Sequence, residues 1–141
     1  ACTVLRVPGI YGPGRLPLAR LRQGLPVIHP DQAPYSNRIH VEDLALICHA
    51  AAAEHEPACL YNVSDGHPTT MTDYFMQVAE FMGLPRPPCI SLAEARTVFS
   101  ASLLSFVEES RRIDNTLMRE KLGIRLRYPD LSQGLPACLL R

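Results

Sequence analysis

The sequence carries no net charge, since fourteen basic side chains balance fourteen acidic ones. No basic run stands out either, so a nucleic-acid footprint, which needs clustered Lys and Arg, is not expected. Long apolar runs are also missing. The longest, Leu44 to Ala53, is broken by His49 and falls well short of the roughly 20 residues of a membrane span. No charged-then-apolar signal segment opens the chain. The five cysteines (Cys2, Cys48, Cys59, Cys89 and Cys138) form no Cys-x-x-Cys pair and leave an odd one over. They read as reduced, mostly buried thiols of a cytoplasmic protein, not as a disulfide framework or a zinc site. His49 and His55 lie six apart, off a shared helical face, and no metal site is expected. An initiator Met is absent as well. The chain opens Ala1-Cys2-Thr3 and passes almost at once into a strand pattern, which predicts a piece cut from something longer.

What is present fits one domain with a genuine core. The length is 141 residues, 47% of them hydrophobic and 20% charged, close to an average globular protein. Thr3 to Pro8 reads as a buried strand, its apolar lead-in being Val4, Leu5 and Val7. "RVPGIYGPGR", Arg6 to Arg15, then turns on glycine and proline. Leucines at 16, 18, 21 and 25 suggest a short helix stopped by Gly24. Pro26 to His29 is a brief strand, Pro30 to Asn37 a polar loop, and Arg38 to Val41 extended. Glu42 and Asp43 then open a helix that reaches about Glu54, their charges complementing its dipole. Asp43 is a structural helix-start residue in this reading. Cys59 to Val63 is another strand, turned at Ser64-Asp65-Gly66.

Thr70-x-x-Asp73 resembles a capping box ahead of Met71, Tyr74, Phe75, Val78, Ala79 and Met82 at helical spacing, with Gly83 as stop. Those aromatics and methionines read as core. Ser91-x-x-Glu94 opens a further helix in the same way. Asp114 is expected to cap the last regular unit, which carries Leu117, Met118 and Leu122 and stops at Gly123. Strands and helices alternate, so the class is α/β.

Four strings, in this order, carry a resemblance: "RVPGIYGPGR", "NRIHVEDLA" at Asn37 to Ala45, "YNVSDGHPTTMTDYF" at Tyr61 to Phe75, and "SRRIDNTLMREKLGIRLRYPDLSQGL" at Ser110 to Leu135. Together they resemble the C-terminal half of extended or atypical short-chain dehydrogenase/reductases, the NAD-dependent epimerase/dehydratase group, over nearly the whole chain. The resemblance implies the last parallel strands of a Rossmann-type sheet plus a small mixed α/β substrate domain. It also implies one fragment over residues 1–141, with the dinucleotide-binding portion lying upstream. The group's Tyr-x-x-x-Lys pair has no match, because no tyrosine stands four residues before the sole lysine, Lys121. Gly9, Gly12 and Gly14 give G-x-x-G-x-G, the wrong order for a dinucleotide loop. No catalytic residue is therefore assigned to this chain, and alone it is expected to be inactive.

Further site residues follow from the resemblance. Main-chain groups of Pro8, Gly9, Ile10 and Tyr11 would meet the nicotinamide end of NAD or NADP, beyond the carboxyl end of a strand. Without the resemblance, Pro8-Gly9 is simply a turn on which Tyr11 packs. Asn37, Arg38 and His40 would line the site of a nucleotide-linked substrate, Arg38 matching phosphate oxygens with its guanidinium fork. The competing readings are an Arg38 paired with Glu42 or Asp43, and a core His40 with one satisfied nitrogen. Arg111 and Arg112 are adjacent, so at most one can point into a pocket. The expected partners are that substrate and the remainder of the chain or a second copy. A non-catalytic dinucleotide sensor or a protein-interaction domain of the same fold is the alternative.

Overall fold

The computed structural model describes residues 2–54 and 59–139, so Ala1 and His55 lie outside the described residues. In chain order come β1 (Val4–Arg6), β2 (Gly9–Tyr11), α1 (Leu18–Arg22), β3 (Val27–Ile28), β4 (Tyr35–Ser36), β5 (Arg38–His40) and α2 (Val41–Ala53). Then follow β6 (Leu60–Asn62), β7 (Thr69–Thr70), α3 (Met71–Phe81), β8 (Cys89–Ile90), α4 (Leu92–Val98), α5 (Ala101–Val107), α6 (Thr116–Leu122) and α7 (Leu131–Ala137). This is the expected α/β class. The elements divide between two compact units, one made of Ala1–Arg15, Asn37–Pro68 and Arg112–Arg141, the other of Leu16–Ser36 and Thr69–Arg111.

In the first unit the expected strand Thr3 to Pro8 is shorter, β1 at Val4–Arg6, and a second strand, β2, follows it with a different partner. β1 runs parallel to β6, Val4 opposite Leu60, whereas β2 runs parallel to β5, Gly9 opposite Arg38. The change of partner falls at Val7-Pro8, where proline has no N–H to continue a ladder. Gly9 to Tyr11, expected in a turn, is therefore strand, and the turn begins at Gly12. Leu5, Ile10 and Leu44 pack on a core of Ile39, Ile47, Tyr61, Val63 and Met118. Full burial of Ile39 and Ile47 contributes roughly 1.5–3 kcal/mol each. Val4 and Val7, expected to be buried, are 45% and 42% exposed; alternation along β1 sends Leu5 inward and Val4 and Arg6 outward, while Val7 lies beyond the end of the strand.

α2 starts at Val41, one residue earlier than expected, because His40 caps it: the imidazole accepts the Glu42 amide. Asp43 is buried within this helix, and its two carboxylate oxygens accept the amides of Arg127 and Tyr128. The C-terminal segment is thus tied to α2 by charge-assisted bonds. The cap of α6 is Asn115, not Asp114, although Asp114 accepts both the amide and the hydroxyl of Thr116 next to it. α6 is not the last regular unit, since α7 follows with Asp130 as its cap. Gly134 and Pro136 in α7 disguise it, both being poor helix formers.

The second unit holds β3 parallel to β8 and β4 antiparallel to β7. Both capping boxes form as expected, Thr70 with Asp73 and Ser91 with Glu94. Its core is Ile28, Ala95 and Val107, flanked by Met71, Ile90, Leu92 and Phe99. β4 breaks the expected polar loop, and α5 lies where no element was expected, capped by Ser100. The thiols are less buried than expected: Cys2, Cys48 and Cys89 are exposed and only Cys138 is buried. Among the described residues no helix is long and apolar enough to cross a membrane, and no group of side chains could hold a metal ion.

Candidate functional site

The parallel ladder of β2 and β5 brings together two strings that lie far apart in sequence. Gly9 faces Arg38, Ile10 faces Ile39 and Tyr11 faces His40. Alternation gives Ile10 and Ile39 to the core face, leaving Gly9, Tyr11, Arg38 and His40 on the other. All the expected cofactor and substrate residues therefore belong to two neighbouring strands or to their entry residues, Pro8 and Asn37.

Each residue differs in what it offers. Gly9 is exposed, and a Cβ there would lie 3.2 Å from Arg38 Nη1, so the half-buried guanidinium lies over its main chain. Pro8 and Ile10 are half-buried. Asn37 is buried, and its Oδ1 accepts the Ile113 amide at 2.9 Å. Tyr11 is buried too, its hydroxyl donating to the Asp130 carbonyl at 3.4 Å. Burial, with the charges of Asp65 and Asp43 among the lesser causes, pushes that phenol far above its usual range, so it stays neutral.

His40 is fully buried, edge-on to Tyr11 at 5.1 Å and tilted against Tyr128 at 4.1 Å between centroids. Its Nδ1 accepts the Glu42 amide at 3.2 Å, which puts the proton of the neutral ring on Nε2. Nε2 has no partner among the described residues. Burial lowers the pKa of the ring, against the raising effect of Glu42 and Asp43. His40 thus joins the expected core role, with one satisfied nitrogen, to a helix cap that sequence reading missed. Arg111 pairs with Glu109 on the surface of the second unit at 2.8 Å.

Asp65 is the site residue that sequence reading passed over as part of a turn. Its amide donates to the Arg38 carbonyl at 2.8 Å, so the loop leaving β6 is bonded to β5 beside the guanidinium. The side chain is buried and its Oδ1 accepts the His67 amide at 2.8 Å. Burial raises the carboxyl from 3.8 to about 6, against the His67 hydrogen bond and the charges of His67 and Arg38. The only sequence signal was an acidic residue in the turn that follows a strand. Chemically the arrangement offers a main-chain edge at Gly9, a guanidinium and, on the adjoining loop, a buried carboxyl whose pKa burial raises.

No protein-family model matches the chain, and no curated protein matches it significantly. Solved structures do. A functionally unknown conserved protein from Silicibacter pomeroyi is 39% identical with a TM-score of 0.84, over 96% of this chain and 48% of that one. The human epimerase family protein SDR39U1, solved with NADPH, gives a TM-score of 0.74 at 20% identity over 99% of this chain and 48% of its own. UDP-glucose 4-epimerase from Thermotoga maritima, solved with UDP-glucose, gives 0.69 at 22% identity over 96% and 44%. The chain has the fold of the epimerase-type short-chain dehydrogenase/reductases. It spans about half the length of these relatives.

Proposed function

We propose that this chain is the substrate-side, C-terminal portion of an NAD(P)-dependent epimerase, dehydratase or reductase acting on a nucleotide-linked substrate. The observation that carries the reading is the register of β2 against β5, with Gly9 beside Arg38. The edge formed by Pro8, Gly9 and Ile10 meets the nicotinamide end of NAD or NADP; Gly9 has no side chain to hold a ligand away from the main chain, and Arg38 Nη1 stands 3.2 Å from where a Cβ would be. The cofactor supplies or takes up a hydride. Arg38 grips a phosphate of the substrate with its fork of N–H donors. Asn37 fixes the entry to β5, and His40 fixes its exit into α2. Tyr11, neutral and bonded to Asp130, packs this edge. The acid/base Tyr and its Lys come from the remainder of the protein, which we place against the exposed Val4 and Leu60 of the paired strands β1 and β6. The relatives solved with NADPH and with UDP-glucose support the reading.

The test is Arg38→Ala in the intact protein. KM for a nucleotide-linked substrate should rise by about ten- to a hundredfold, the loss of one charge-assisted bond, with kcat little changed. Unaltered KM for every such substrate that is turned over would remove Arg38 from the site. Binding of NAD or NADP without any turnover would favour the non-catalytic alternative.

A further inference from the structure

The first unit contains an open cleft of about 370 Å³ that involves neither β2 nor β5. Its walls come from the turn after β6, with Asp65, Gly66 and His67, from the start of α6, with Asn115 and Arg119, and from the segment holding Arg125. That volume lies within the usual range of small-molecule sites.

The cleft is built, not merely left over. Asn115 is 5% exposed, and its Nδ2 donates to the Ser64 carbonyl at 2.8 Å, which locks the amide. Asn115 Oδ1 in turn accepts Arg119 Nε at 3.0 Å, so a fixed group orients this guanidinium while both Nη groups remain to donate. Gly66 has φ +82°, and a Cβ there would come to 3.0 Å from Asn115 Nδ2, so the turn and the amide fit only with glycine.

Charge decides what the cleft takes. Neither Arg119 nor Arg125 makes an ion pair among the described residues. Asp114, whose charge is felt by Arg119, already accepts two bonds from Thr116. Asp65 on the cleft wall accepts the His67 amide. Two guanidinium groups therefore face one committed carboxylate, a net positive lining. Guanidinium forks match the oxygens of phosphate, and Ile124 and Leu126 add apolar wall beyond the space a phosphate fills. We propose that this cleft binds a phosphorylated small organic molecule, with the phosphoryl group between Arg119 and Arg125 and the carbon portion against Ile124 and Leu126. Apart from Asp65 on its wall, the cleft uses no residue of the candidate site above, and it does not rest on the assignment of cofactor and substrate residues.

The experiment titrates the intact, 15N-labelled protein with inorganic phosphate and, separately, with glycerol 3-phosphate, at ionic strength held constant with chloride. Saturable shifts are expected at the Gly66 and His67 amides and at the Nε of Arg119 and Arg125. Glycerol 3-phosphate should bind more tightly than phosphate. Arg119→Gln and Arg125→Gln, both at exposed positions, should each weaken binding by about tenfold or more. In Arg38→Ala the Nε shifts of Arg119 and Arg125 should still appear and saturate, which separates this site from the proposed substrate phosphate site. Shifts that fail to saturate, or that persist in both glutamine variants, would overturn the proposal; equal affinity for the two probes would overturn the organic ligand.

Discussion

The hydroxyl of Tyr11 occupies the space that any side chain at Gly134 would need. A Cβ on Gly134 would overlap that oxygen and lie 2.7 and 2.8 Å from two ring carbons. The strand β2 and the helix α7 are in contact through the absence of a side chain. Gly134→Ala should therefore destabilise the protein by about 1–3 kcal/mol or more, as overpacking does. Tyr11→Phe in the same molecule should restore only part of the loss, because the ring carbons still collide. A thermal melt of the two single variants and the double variant measures this coupling. Additive losses would show that the two residues are not in contact.

His40 should respond to acid. Its folded pKa lies below the ordinary histidine value because burial disfavours the imidazolium. The folded state then binds fewer protons than the unfolded one, so stability is lost as pH falls below about 6.5. Protonation also removes the lone pair that accepts the Glu42 amide. His40→Ala should abolish this part of the pH dependence and cost about 2–4 kcal/mol at neutral pH, cap and cavity together. Urea unfolding from pH 5 to 8 tests both statements, and an unchanged pH profile in the variant would refute the cap.

Asp65 works in the opposite sense. Its carboxyl is raised from 3.8 to about 6, chiefly by burial, so here the folded state binds more protons. Its contribution to stability is present at low pH and lost as pH rises between about 4 and 6. Asp65→Asn should flatten that window, and a carboxyl 13C titration of the parent should place the midpoint well above that of an ordinary Asp. A midpoint near 4 would mean that water reaches the group.

Arg20 should prove a packing residue. Its guanidinium lies 5.6 Å from the ring centroids of both Phe75 and Phe99, and Nη2 donates to the Pro26 carbonyl at 2.6 Å. Arg20→Ala should cost about 2–3 kcal/mol, from two cation–π contacts and a charge-assisted bond. Arg20→Lys should recover little, because an ammonium does not stack between rings. Full recovery by lysine in a chemical melt would show that charge alone matters.

The sequence reading located elements best where local chemistry is complete. Thr70 with Asp73 and Ser91 with Glu94 each contain both halves of a reciprocal cap, so those helix starts could be read directly. Where the deciding group was distant, the reading failed. Nothing near Pro8 announces that β1 and β2 take different partners, since those partners, Leu60 and Arg38, stand far along the chain. α7 hid behind Gly134, whose reason is Tyr11. The site divides in the same way. Gly9 and Arg38 could be named from their strings, but their adjacency, the capping role of His40 and the burial of Asp65 depend on tertiary contacts.

The interleaving of the two units also sets an order of assembly. Met118, a fully buried member of the first core, belongs to a segment that starts only at Arg112, whereas the second unit has its last residue at Arg111. During synthesis the second unit is therefore complete while the first still waits for the last of its three segments. Chains generally fold in the units that emerge whole, and pairings between distant strands form slowly. The segment that carries Gly9, although it precedes the second unit in the chain, thus reaches its final packing last, once Gly134 has arrived to receive Tyr11.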